Sequence, residues 1–120
     1  MLRYRLSDSA QADVIRILAW TQEQFGENGR SRYEGLIVAA LRDVATQPER
    51  PGSLARPELG AGVRSWHLRL SRHHAGSAAL VRRPRHFVIY RAELDLLVVA
   101  RVLHDAMELA KHLDPESSWT

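Results

Sequence analysis

At 120 residues, with 45% hydrophobic side chains and a formal charge of +3, the chain has room for one compact core and not two. That composition excludes wholesale disorder. The absence of cysteine excludes disulfides and thiolate zinc sites and fits a reducing cytosol. No stretch approaches the ~20 apolar residues of a membrane span, and no apolar run behind Met1 to Arg5 reads as a signal peptide. A cytoplasmic protein is the expectation.

In chain order, residues 3–6 alternate and read as a short edge strand. Ser7, Asp8 and Ser9 offer N-cap oxygens to a helix that carries Val14, Ile17, Leu18 and Phe25 on one stripe. Gly26 and Gly29 bracket a break at Asn28. A second helix follows with Tyr33, Leu36, Ile37, Ala40, Leu41 and Val44, the cleanest amphipathic pattern in the chain. Helices joined this closely fold back as an antiparallel hairpin. Residues 47–62 hold Pro48, Pro51, Pro57, Gly52, Gly60 and Gly62 and read as a loop. Residues 63–70 alternate, with Trp66, Leu68 and Leu70 on one face and Ser65, His67 and Arg69 on the other; Trp66 reads as core. Residues 71–84 form a longer connection, and the small side chains at 75–79 predict a mobile tip. Residues 87–92 are rich in strand formers. Residues 96–103 are nearly all apolar, as in a strand covered on both faces. Glu93-Leu94-Asp95 supplies a hairpin turn between them. Residues 105–113 read as a short helix stopped by Pro115. The whole is one α+β domain spanning 1–120, a helix pair packed on one face of a small antiparallel sheet.

Charge is spread unevenly along this order. No Asp or Glu occurs in residues 59–92, where Arg64, Arg69, Arg72, Arg82, Arg83, Arg85 and Arg91 gather with His67, His73, His74 and His86. One part of the fold is therefore strongly positive and suits an anionic partner, nucleic acid or an acidic protein segment. Lys111 is the sole lysine, so a base-composition bias toward arginine is the competing reading of that patch. Arg82-Arg83-Pro84-Arg85 is either a partner contact or a solvated loop. Trp119, in a polar tail, either folds back on the body or docks on a partner. Among the histidines, His73 and His74 are adjacent and point apart on a strand, while His67 and His86 are placed to face each other across paired strands. Without a clustered carboxylate or cysteine no metal site is assigned. Neither a Gly-rich phosphate loop nor a nucleophile elbow occurs, and no cofactor is expected.

Five segments carry a resemblance: Tyr4-Arg5-Leu6-Ser7, Ala10-Gln11-Ala12-Asp13, Arg64-Ser65-Trp66-His67-Leu68, Pro84-Arg85-His86-Phe87-Val88-Ile89-Tyr90-Arg91 and Arg101-Val102-Leu103-His104-Asp105-Ala106-Met107-Glu108-Leu109. Together with the element order they resemble the ParE toxins of the RelE/ParE superfamily of type II toxin–antitoxin systems. The resemblance implies an N-terminal strand, a helical hairpin, an antiparallel three-strand sheet segment and a short C-terminal helix. It also implies a toxin that acts on DNA gyrase, blocks replication and arrests growth without catalysis of its own. A ParD-type antitoxin would neutralise it in a hetero-oligomeric complex. No direct DNA contact is expected of the toxin on its own.

The related RelE toxins cleave messenger RNA on the ribosome, which requires a base, an acid and cations around the phosphate. Here no Tyr follows Tyr90, and the Lys-rich catalytic face of that branch is absent. His104 is the weak candidate for acid–base work, but it belongs to the Arg-Val-Leu-His signature of the non-nuclease branch and reads as a strand-end cap bonded to backbone. A RelE-like ribosome-dependent endoribonuclease is therefore the alternative, and a degenerate toxin that only binds antitoxin is the second. The candidates for antitoxin or target contact are Arg64, Arg69, Arg82, Arg83, Arg85, Arg91 and Trp119.

Overall fold

The computed structural model describes residues 1–75, 80–115 and 117–120. The chain runs through β1 (Arg3–Leu6), α1 (Asp8–Thr46), β2 (Leu54–Ala55), β3 (Val63–His67), β4 (His86–Glu93), β5 (Leu96–His104) and α2 (Leu109–His112), with 3₁₀ turns at Pro57–Leu59, Leu68–His74 and Ser117–Trp119. The strands form one mixed five-stranded sheet in the order β1-β5-β4-β3-β2. β1 lies parallel to β5 and every other pairing is antiparallel. The α+β class and the antiparallel β3-β4-β5 segment agree with the sequence reading. β1 and β2 widen the sheet on its two sides.

Ser7 starts the helical layer and fastens it. Its hydroxyl accepts the Ala10 N–H at 3.0 Å, capping α1, and donates to the Ala100 carbonyl at 2.7 Å. α1 is interrupted at Gly26, whose φ of 77° is a left-handed conformation that only glycine adopts freely. A straight helix of this length would run about 58 Å. The molecule's longest extent is 38 Å, so the arms on either side of Gly26 fold back on each other. Their return is fixed at the base, where the Leu2 N–H donates to the Ala45 carbonyl at 2.9 Å. The expected break at Asn28 thus lies at Gly26, and the chain is helical again through Gly29. Gly29 has its own reason: a Cβ there would stand 2.5 Å from that of Phe25.

Each face of the sheet has its own core. Toward α1, Leu18, Tyr33, Leu36, Ile37, Leu41 and Val44 meet Trp66, Val88, Tyr90, Leu97, Val99 and Val102. On the opposite face Leu59, Val63, Phe87, Ile89, Ala100, Leu103 and Leu113 pack together, with Leu109 and Trp119 against them. This is why β5 is apolar on both sides. A register shift interrupts the β4–β5 ladder, with Ile89 opposite Arg101 and Tyr90 opposite Val99. The extra residue, Ala100, moves the phase of β5 by one position. Leu97 and Val99 before it, and Val102 after it, all reach the helix-side core.

Several local expectations change. β3 ends at His67, whose Nδ1 accepts the Arg69 N–H at 3.1 Å and turns the chain into a 3₁₀ segment. Leu68 is buried there, outside the strand. The loop read at 47–62 contains β2, because Leu54 and Ala55 pair with Ser65 and Arg64. The terminal helix shrinks to Leu109–His112. Asp105 instead continues the sheet edge, its N–H donating to the Arg85 carbonyl at 2.8 Å. The tip read as mobile falls on residues 76–79, outside the described residues.

Candidate functional site

The diagnostic Arg101 is scaffold. Its Nε and terminal amine donate to Asp13 Oδ2 and Oδ1 at 2.7 and 2.9 Å. Asp13 also accepts from the Val102 N–H at 3.0 Å and from Arg16 at 2.5 Å. The carboxylate is buried, so its charge is met by paired and oriented donors. Arg101 also donates to the His112 carbonyl, holding the C-terminal segment. Its bond to Asp13 raises its pKa further, outweighing the opposing effect of burial.

At the neighbouring end of the sheet, β4 and β5 bring His86 opposite His104, with ring centroids 5.4 Å apart and nearly perpendicular. Tyr33, from the second arm of α1, places its hydroxyl 2.6 Å from His86 Nδ1 and accepts the Arg85 N–H at 3.2 Å. Burial, with His104 adding to it, pushes His86 down to about 4. The ring is therefore neutral near pH 7, and the phenol donates to Nδ1. Burial likewise raises Tyr33 to about 12. His67 does not face His86. It pairs with Phe87 and stacks on it at 6.5 Å, on the opposite face of the sheet. Its Nε2 meets Asp105 Oδ2 at 3.0 Å, and Asp105 Oδ1 accepts from Arg85 at 3.0 and 3.2 Å. Burial works against ionisation of Asp105, but the bonds from His67 and Arg85 outweigh it and hold its pKa low. His104 Nδ1 accepts the Ala106 N–H at 3.1 Å.

The other candidates divide into held and unheld groups. Arg64 donates to the Ser53 side chain and carbonyl at 2.7 and 3.1 Å, tying the β2 loop to β3. Arg91 is paired with Glu93, and its guanidinium lies 4.3 Å from the centre of the Trp119 ring. Trp119 is folded back on the body, and Arg5 secures the turn by donating to the Trp119 and Thr120 carbonyls at 2.9 and 3.3 Å. Arg69, Arg82 and Arg83 are exposed, and among the described residues no hydrogen bond or ion pair takes their guanidinium groups. No cluster of three metal-ligating side chains occurs among the described residues.

Arg82, Arg83 and Arg85 border a groove of about 580 Å³ between α1 and the 80–86 segment. Its floor is apolar. Trp20 and Phe25 are 56% and 65% exposed, meet edge to face at 6.0 Å, and look across at Leu80. Arg32 joins the basic rim, and Tyr33 and His86 close one end. Exposed aromatics beside arginines match the makeup of protein-binding surfaces. The sequence reading placed Phe25 on the core stripe and gave Trp20 no role. Phe25 adjoins the turn at Gly26, and both side chains stand outside the core. Trp20 lying off the first helix's apolar stripe was the available signal.

The family model for the ParE toxin of the type II toxin–antitoxin system matches residues 4–109. No match was found among curated proteins. Among the described residues no helix is long and apolar enough to cross a membrane. The match takes in β1, both arms of α1, the Asp13–Arg101 pair and the β3-β4-β5 sheet. The chain belongs to the ParE toxin family of type II toxin–antitoxin systems.

Proposed function

We propose that this toxin arrests growth in the cytoplasm by binding DNA gyrase, without catalysis of its own, and that a ParD-type antitoxin neutralises it. The family match carries the toxin role. The gyrase target follows the resemblance in the strand segments. A non-catalytic mode is supported by the state of the histidines. His104 Nδ1 accepts a backbone N–H, His86 Nδ1 is bonded to Tyr33, and His67 Nε2 faces Asp105. Each has a structural partner at the nitrogen named.

The groove suits the antitoxin. An amphipathic segment would set apolar side chains on Trp20, Phe25 and Leu80 and carboxylates against Arg32, Arg82, Arg83 and Arg85. A disordered antitoxin tail that folds on binding covers such a surface with a short chain. Purified gyrase, relaxed plasmid and the toxin test the target: cleaved linear plasmid should accumulate while supercoiling stops. Unimpaired supercoiling across a wide toxin excess contradicts the reading. Primer extension on messages from induced cells tests the ribonuclease alternative. His104→Ala should leave toxicity intact, provided its folding is checked alongside.

A further inference from the structure

On the sheet face away from α1, the C-terminal segment covers only one end. Leu113 and Trp119 lie over Val63, Ile89 and Ala100. At the other end, Ser65, His67 and Phe87 floor an open hollow of about 170 Å³, walled by Arg56, Arg69 and Leu54. That volume is well below the roughly 300 Å³ at which small-molecule pockets begin.

The donors there are unusually free. Arg56 commits its Nε to Ser65 Oγ at 2.9 Å, which leaves its terminal amines without a partner among the described residues. Because Ser65 Oγ accepts that bond, its own proton is available to a ligand. Arg69 uses only its backbone N–H, toward His67 Nδ1. Among the described residues the one carboxylate at the hollow, Asp105, is occupied by His67 at 3.0 Å and by both Arg85 donors. The hollow therefore carries unspent positive charge and no free acceptor of comparable strength.

We propose that this hollow is a phosphate-binding site, with the Arg56 and Arg69 guanidinium groups as the charged donors and Ser65 as a neutral one. Planar guanidinium groups match the oxygens of a phosphate two at a time. The hollow is small for a whole nucleotide and suits a single phosphate group. It lies on the opposite face of the sheet from the aromatic groove, so it stands whether or not the antitoxin docks there.

The test is a titration of the ¹⁵N-labelled full chain with inorganic phosphate at constant ionic strength. The Ser65, His67 and Arg69 amides should shift together and saturate, with a Kd on the order of millimolar. Arg69→Gln should weaken that binding about tenfold, comparable to losing one charge-assisted contact. Its melting curve should be unchanged, since among the described residues no group holds the Arg69 side chain. A single-stranded thymidine tetranucleotide binding more tightly than inorganic phosphate identifies a nucleic-acid backbone as the source; weaker binding identifies free phosphate. Absence of saturable shifts, shifts equal in Arg69→Gln, or equal shifts with acetate overturn the proposal.

Discussion

Under the first arm of α1, Arg101 lies against a buried Asp13 with both carboxylate oxygens engaged. At the mouth of the groove, Arg82 and Arg83 are exposed, and among the described residues no carboxylate pairs with them. The two regions use one residue type for opposite ends. Burial converts the first pair into a joint between helix and sheet, because neither charge can leave without stranding the other. Exposure leaves the second set cheap to hold and long in reach, which favours steering a partner over stabilising the fold.

The largest effect expected separates these roles. Asp13→Ala should cost about 3–5 kcal/mol, since it leaves the partly buried Arg101 guanidinium and the buried Val102 N–H without their shared acceptor, while Arg83→Gln should stay within about 0.5 kcal/mol. Urea denaturation of both variants checks this, and a loss below about 1 kcal/mol for Asp13→Ala would break the contrast. Acid gives the next effect, at the closed end of the groove. His86 is lowered from 6.5 to about 4 in the folded chain, so between those values the unfolded chain binds more protons and stability falls as pH falls. The loss is complete below about 4. His86→Gln keeps an acceptor for Tyr33 and should flatten that slope in thermal melts run across the window.

Smaller changes sharpen the other half of the comparison. The double variant Arg82→Gln, Arg83→Gln should slow antitoxin association several-fold at low salt, with the difference vanishing near 1 M salt, where the Debye length is about 3 Å. Stopped-flow mixing at several salt concentrations reads this directly. The least effect lies far from both regions. Leu94 sits in the β4–β5 turn with a φ of 49° and a fully exposed side chain. Leu94→Gly should gain about 1 kcal/mol by removing left-handed strain. An unchanged melting temperature would count against that strain.

Much of the scaffold was readable from periodicity. Tyr33 to Val44 announced its buried stripe, and 96–103 its double coverage, because both signals are local and repeat. The break at Gly26 and the short strand β2 were not readable with the same sharpness. One depends on which of two nearby glycines turns the chain. The other exists only because Leu54 and Ala55 meet β3. The site was half legible. The excess of arginine over residues 59–92 drew attention to a segment that borders the groove. It could not say that Arg64 and Arg91 are held by Ser53 and by Glu93 and Trp119, while the Arg69, Arg82 and Arg83 guanidinium groups have no partner among the described residues. Those partners come from distant segments. Arg56 was missed for the same reason, since its neighbour Ser65 is brought to it by the β2–β3 pairing.

The division between joint and docking surface is tested most directly by titrating the cognate antitoxin into the wild-type toxin and Phe25→Glu by calorimetry. Phe25 is 65% exposed, so the substitution should leave the melting temperature unchanged. It places a negative charge on the apolar floor, and affinity should fall at least about 30-fold, or about 2 kcal/mol. An affinity equal to wild type, with the fold intact, would show that the antitoxin binds elsewhere and would contradict the assignment of the groove.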